Sequence, residues 1–210
     1  MGSVGLLYVG AVLIINGLML LGRVPGRAAA AMNLFVGGMQ VVFPTLILLQ
    51  SGGDTMTVFG ASGLYLFGFT YLYVAWNELT GATGEGLGWF SLFVALAAVV
   101  YGVLQFTWVG DPVFGVIWLS WAVLWLLFYL LLAQGRAHLG RTTGWLAVFQ
   151  GVLTGAVPAF LLLTGSYRTN AAGGAIAAVI SLITIAAAWQ LGRSATATLD
   201  RSDSTPAVAH

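Results

Sequence analysis

Phe114, Trp118, Trp121 and Trp125 follow one another at i, i+4, i+7 and i+11, so on a helix of 3.6 residues per turn they form a single aromatic stripe. Phe69, Tyr73 and Trp76 repeat that rhythm earlier in the chain. Two such stripes can pack together, or they can line a narrow slot in which a flat solute meets ring faces and edges. The polar residues inside the apolar runs are neutral: Asn16, Asn33, Gln40, Thr70, Gln105, Ser120, Gln150 and Thr154. An amide without a partner in hydrocarbon costs roughly 2–7 kcal/mol on apolar transfer scales. Each of these groups should therefore bond to a neighbouring helix or face a wet cavity.

Other chemistry is excluded by what is missing. His138 sits in a basic loop, His210 is the last residue, and the 6 acidic residues fall at span ends, in loops or in the tail. No metal site is expected, and no cofactor. Nucleophilic catalysis needs a base beside Ser, Thr or Cys, and no histidine or carboxylate lies at mid-membrane depth. An enzyme is not expected. Ion-coupled transport usually needs an ionisable group within the bundle, and none is present there.

The elements that must hold these residues are membrane helices. Hydrophobic residues make up 60% of the 210-residue chain and charged residues 6%, against about 25% charged in a typical soluble domain. Mean hydropathy is +0.97. A net charge of +1 indicates neither a nucleic-acid partner nor a basic membrane-surface patch. Cysteine is absent, which removes disulfide and thiolate chemistry. The N-terminus lacks the basic region of a signal peptide, so the first apolar run is expected to remain in the mature protein.

A span needs about 20 apolar residues, and seven runs qualify: Val4 to Leu21, Ala28 to Gln50, Met56 to Trp76, Leu87 to Trp108, Pro112 to Ala133, Gly144 to Thr164 and Ala171 to Leu191. The expected organisation is a transmembrane domain over 1–191, with a core at 4–165 and an added helix at 171–191, then a polar, disordered cytoplasmic tail over 192–210. Arg23, Arg27, Arg136, Arg141, Arg193 and Arg201 fall on one side of the membrane and Arg168 on the other. The positive-inside rule puts the first group in the cytoplasm, the N-terminus outside and the C-terminus inside.

Three even-numbered spans begin alike, with Phe35-Val-Gly37, Phe93-Val-Ala95 and Phe149-Gln-Gly151. Nine residues after each phenylalanine comes Pro44, Gly102 or Pro158, residues that weaken a helix. The chain thus reads as an all-α integral membrane protein of three pseudo-repeated helical hairpins plus a seventh span. Gln150 stands out, because its repeat equivalents Val36 and Val94 are apolar. Trp76, Trp89, Trp108, Trp145 and Trp189 lie near span ends, where interfacial anchoring explains them. Trp118, Trp121 and Trp125 run toward mid-span instead. Uncharged aromatic walls suit a small, flat, neutral polar solute, because a stripped ion would face a large desolvation cost there. A passive conduit is the favoured reading. A coupled transporter and a solid-cored structural or sensory subunit remain open beside it.

Several segments carry a family resemblance: Leu6-Leu-Tyr-Val-Gly10 with Asn16-Gly17, Met32-Asn-Leu-Phe-Val-Gly-Gly38, Leu66-Phe-Gly-Phe-Thr-Tyr-Leu-Tyr73, Trp89-Phe-Ser-Leu-Phe-Val94, Ile117-Trp-Leu-Ser-Trp-Ala-Val-Leu-Trp125 and Trp145-Leu-Ala-Val-Phe-Gln-Gly151. Over the first six spans the chain resembles the AmiS/UreI family of urea and short-chain amide channels. That resemblance implies six helices around a pore in each protomer, a hexameric ring in the bacterial inner membrane, and a functional link to a cytoplasmic amidase or urease. It places Leu6, Val9, Leu13, Phe69, Tyr73, Trp118, Trp121, Leu124 and Trp125 along the pathway, with Asn16 as a polar wall position. Gln150, a further pathway position, stands where urea-channel members carry glutamate. The loops Ser51 to Thr55 and Val109 to Asp111 hold no histidine, so histidine-based proton gating is not expected. The seventh span has no counterpart in six-helix members.

Overall fold

A computed structural model describes residues 2–203, with side chains described for 2–193. The elements are α1 (Gly2–Leu20), α2 (Gly26–Gln50), α3 (Thr55–Thr80), α4 (Glu85–Leu104) with a π-helical turn at Gln105–Val109, and α5 (Pro112–Leu132). A 3-10 turn at Ala137–Leu139 leads to α6 (Gly140–Gln150), a π-helical segment at Gly151–Ala156, α7 (Val157–Leu163) and α8 (Ala171–Asp203). Residues 137–163 run on as one span, so seven helical stretches are long and apolar enough to cross a membrane, and the described residues contain no strand. The last span ends at Arg193, while its helix continues to Asp203. Residues 204–210 of the expected tail lie outside the described residues.

Polar loop residues set the helix starts. Asp54 accepts the Thr57 N–H at 2.8 Å ahead of α3, and Asp111 accepts the Phe114 N–H at 3.0 Å ahead of α5. Both are side-chain N-caps that satisfy an orphan donor of the first turn. Between α4 and α5, Gly110 takes φ 80°, a left-handed conformation that glycine adopts without strain. This lets the chain reverse within two residues of the π turn.

The helix pairing closes a ring. α2 packs most closely on α3, α4 on α5, and the sixth span on α1. Each repeat therefore pairs an even span with an odd one, and the last pair is completed by the first helix of the chain. Small residues make these contacts tight. A Cβ on Gly10 would lie 2.6 Å from the Gly151 carbonyl oxygen, and one on Gly17 would lie 2.6 Å from that of Gly144. Likewise a Cβ on Gly37 would come within 2.8 Å of Leu72, and one on Gly88 within 2.5 Å of the Ala133 nitrogen. Two of the three repeat positions, Gly102 and Pro158, border the π-helical segments, where an extra residue per turn rephases the helix face.

Interhelical bonds account for most of the neutral polar groups. Asn16 and Asn33 exchange two amide bonds of 2.8 and 2.6 Å between α1 and α2. Gln40 donates to the Gly5 carbonyl at 3.1 Å, and Gln150 donates to the Ser120 carbonyl and hydroxyl, both at 2.9 Å. Trp76, Trp89, Trp108 and Trp189 are exposed on the outer surface, as anchoring at an interface requires. Trp145 is instead half-buried against Phe149, with ring centroids 5.8 Å apart.

Candidate functional site

The inner faces of α1, α3 and α5 meet on the bundle axis. α1 contributes Leu6, Val9 and Leu13, α3 contributes Phe67, Tyr71 and Val74, and α5 contributes Trp118, Trp121 and Trp125. Phe67 is the hub of this layer. Its ring centroid lies 5.5 Å from Trp118, 4.8 Å from Trp121 and 5.1 Å from Trp125, with the last two edge-on. Trp118 also stacks on Tyr101 of α4 at 4.5 Å.

Threonines on neighbouring helices fix two of the tryptophans. Trp121 donates its indole N–H to Thr154 Oγ1 at 2.9 Å, and Trp125 donates to Thr70 Oγ1 at 3.2 Å. Each threonine hydroxyl in turn donates to the carbonyl four residues back, Gln150 and Leu66, at 2.7 Å. Their hydrogens are thus committed, and each oxygen is left as an acceptor for an indole. Thr154 lies within the π-helical segment, which keeps both Gln150 and Thr154 buried toward α5.

This layer separates two cavities. The larger, about 480 Å³, opens toward the N-terminal end of α1 and includes Ser3, Thr57 and Asp111 at its mouth and Val9, Phe67, Trp118 and Trp121 at its floor. The smaller, about 10 Å³, is lined by Leu13, Asn16, Thr70, Tyr71, Val74, Leu87, Ser91, Trp125 and Phe128. No residue is common to the two linings. They pass from Val9 to Leu13, from Phe67 to Tyr71 and from Trp121 to Trp125, so a barrier one helical turn thick divides them. The smaller space holds about one water.

At the mouth, the Asp111 carboxylate accepts bonds from the Tyr167 hydroxyl at 2.8 and 2.9 Å and from Thr169 at 2.7 Å, besides capping α5. Burial, and then the bond to Asp111, push the Tyr167 phenol above the usual tyrosine range. It therefore stays protonated as a donor at ordinary pH.

Leu6, Val9, Trp118 and Trp121 line the larger cavity, and Leu13, Asn16 and Trp125 line the smaller one. Leu124 is fully buried in the packed core and borders neither. The α3 positions need correction. Phe69 is 49% exposed, with its ring against Tyr65 on the outside of the bundle, and Tyr73 is half-buried beside Gly86 of α4. Phe67 and Tyr71, two residues earlier, are the ones that face inward. Gln150 also falls off the axis and lines a separate space beside α8. Sequence reasoning missed Phe67 and Tyr71, as well as the indole-binding roles of Thr70 and Thr154. The signal for α3 was Trp76: it shares a face with Phe69 and Tyr73, and an interfacial anchor points to lipid.

A family model described as the AmiS/UreI family transporter matches residues 1–166. The chain belongs to the AmiS/UreI family. Among its AmiS/UreI relatives is a candidate transporter of amidate substrates from Mycolicibacterium smegmatis, 58% identical over 92% of this chain and 91% of that one. A candidate transporter protein from Rhodococcus erythropolis, AmiS2, is 60% identical over 90% and 94%. An acid-activated urea channel from Helicobacter pylori is 35% identical over 75% of this chain and 94% of its own. A solved structure of the Helicobacter pylori urea channel in a closed state superposes with a TM-score of 0.73 at 35% identity, covering 80% of this chain and 100% of that one. These AmiS/UreI proteins are described as transporters and channels, not enzymes. The chain is a multi-pass, all-helical membrane protein of that family.

Proposed function

We propose that this protein is a passive channel for small neutral amides, short-chain aliphatic amides or urea. The observation that carries this reading is the pair of cavities on one axis, divided by a single aromatic turn that holds no charged residue. Solute enters the larger cavity, sheds most of its water, and passes between Phe67, Trp121 and Trp125. The indole N–H groups are already bonded to threonines, so the layer selects by width and ring contact. Tyr71 Oη is buried there without a partner, and it offers a hydrogen bond just past the barrier. Leu6, Val9, Leu13 and Asn16 form the facing wall, with Trp118 above.

The arginine distribution supports an outward-facing N-terminus, which makes the larger cavity an external vestibule and the C-terminus cytoplasmic. Each protomer carries its own path, and the exposed apolar faces of α2 and α4 suit assembly into a hexamer in the inner membrane. A cytoplasmic amidase or urease would consume the solute and keep its gradient inward.

Stopped-flow permeation of urea, acetamide, propionamide and glycerol into proteoliposomes tests the reading. The expected result is uptake of the amides and urea well above protein-free vesicles, unchanged when a proton or sodium gradient is collapsed. Uptake that stops with the gradient would establish a coupled transporter instead. Wild-type uptake no faster than that of empty vesicles would leave a solid-cored structural or sensory subunit as the better account.

A further inference from the structure

We infer that Gly63 and Ser62, adjacent residues of α3 that border neither axial cavity, set the width of the larger cavity's floor through the rings of Trp118 and Tyr101. The inference rests on the channel reading. Trp118 is held unlike the two tryptophans that follow it on α5. Trp121 and Trp125 donate to threonines, whereas among the described residues Trp118 has ring contacts and no hydrogen bond. Its place is therefore fixed by what it touches.

Tyr101 covers one face of the indole at 4.5 Å, with the planes 16° apart. Phe67 and Trp121 stand 5.5 and 5.1 Å away in the layer below. The far edge of the ring reaches from α5 across to α3 and ends on Gly63, which is buried. A Cβ at that position would lie 2.9 Å from both Cη2 and Cζ2 of Trp118, where carbon atoms in contact normally stand about 3.5–4.0 Å apart. No side chain fits there unless the indole moves. Tyr101 blocks one direction, and Phe67 and Trp121 block another. The larger cavity, which Trp118 borders, is the open side. A methyl group at residue 63 therefore drives the indole into the cavity, and glycine is what lets it stand back.

Ser62 fixes the ring behind it. Its hydroxyl donates to the Phe59 carbonyl at 2.8 Å, so toward the Tyr101 hydroxyl it acts as the acceptor. Thr70 and Thr154 serve Trp125 and Trp121 in the same way, each with its hydrogen committed to its own helix. Tyr101 also rests on Phe59, with ring centroids 4.8 Å apart. Rooted in α4 and bonded to α3 at its tip, the Tyr101 ring is a fixed plate on which Trp118 stacks. One turn of α3 thus controls both the face and the edge of the indole.

Alanine suits a helix better than glycine, so Gly63→Ala adds a steric contact without weakening the backbone of α3. In proteoliposomes of the full chain it should lower propionamide permeation relative to urea by about tenfold, the low end of what one methylene is worth in an apolar pocket. In a Trp118→Phe background, which lacks the indole edge that the methyl meets, the same substitution should leave the ratio where Trp118→Phe alone puts it. A merely structural role for Gly63 would lower both fluxes together in either background. Ser62→Ala and Tyr101→Phe each remove the bond that steadies the plate and should raise the ratio by less, to the same extent singly and together. They carry the test if Gly63→Ala does not fold. Structures of the wild type and Gly63→Ala in lipid nanodiscs read the ring without flux, and the indole should stand deeper in the cavity of the variant. An unmoved indole, an unchanged ratio in Gly63→Ala, a drop that persists with Trp118→Phe, or an unchanged ratio in both Ser62→Ala and Tyr101→Phe would each overturn the inference. A wild type that conducts neither solute, with the indole displaced in Gly63→Ala, would sink the channel reading and leave the positioning of Trp118 by Gly63 standing.

Discussion

The seam between α1 and the sixth span and the layer between α3 and α5 solve opposite problems. At the seam, Gly10, Gly17, Gly144, Gly151 and Gly155 bring two backbones together with almost no side-chain atoms between them. In the layer, Phe67, Trp118, Trp121 and Trp125 keep two helices apart with some of the largest side chains available. The first contact cannot yield without opening the ring. The second is made of rings on rotatable bonds, and two of them, Trp121 and Trp125, are each held by a hydrogen bond that one substitution removes. On the proposed function, rigidity and selectivity thus fall to different sides of one bundle.

Breaking the seam should have the largest effect. Gly10→Val places a side chain where backbone atoms already stand 2.6–2.7 Å from a Cβ, so the loss should exceed the roughly 1–3 kcal/mol of ordinary overpacking. Little monodisperse protein should survive detergent extraction. Gly38→Val meets nothing within 4 Å and should stay within about 0.5 kcal/mol of wild type by thermal unfolding.

Widening the layer should change transport more than folding. Trp121→Ala should raise propionamide permeation relative to urea by about tenfold, the low end of what an apolar pocket discriminates per methylene. If the ratio holds and only stability falls, the layer is packing and not a selector. Thr154→Val keeps the shape and strands the Trp121 indole donor, at a cost of about 1–3 kcal/mol. It should move the ratio in the same direction by less, and Thr154→Ser should restore it.

The smallest effect expected is that of pH. The loops at the vestibule mouth contain no histidine, and Tyr167 holds its proton more tightly than a free tyrosine. Flux should therefore be flat between about pH 5 and 8, where an unperturbed histidine would titrate. Tyr167 favours the folded state below its ordinary pKa of about 10. That contribution fades at higher pH, where the unfolded chain loses the proton first, and a thermal-unfolding series across pH 8–11 reads it.

Span number was legible in the sequence because length and hydropathy suffice to mark a helix in hydrocarbon. Helix rotation was harder. On α3 two aromatic rhythms lie two residues apart, and that offset turns the face by about 200°. The rhythm that includes Trp76, a lipid-facing anchor, carries Phe69 and Tyr73 away from the axis and leaves Phe67 and Tyr71 on the inner face. Gln150 stands out in the sequence as unlike its repeat equivalents, but its bond to Ser120 turns it toward α5 and α8, away from the axis. Gly151 and Gly155 lie four residues apart, a spacing that marks a close helix contact in lipid, but that spacing does not name Gly10 as the other side. Nothing in the local composition marks Gly151–Ala156 as π-helical, since that extra residue follows from how the sixth span meets α1 and α5.

The ring closure also sets an order of assembly. α1 leaves the ribosome well before its glycine-lined partner, which is made only after the four intervening spans have been inserted. During that interval Asn16 can pair with Asn33, and Gly5 with Gln40, as soon as α2 arrives, so α1 is tethered early while its Gly10 and Gly17 face stays open to lipid. Chains cut short before Gly144 should therefore insert but leave α1 unsealed, a vulnerable state that membrane quality control can recognise.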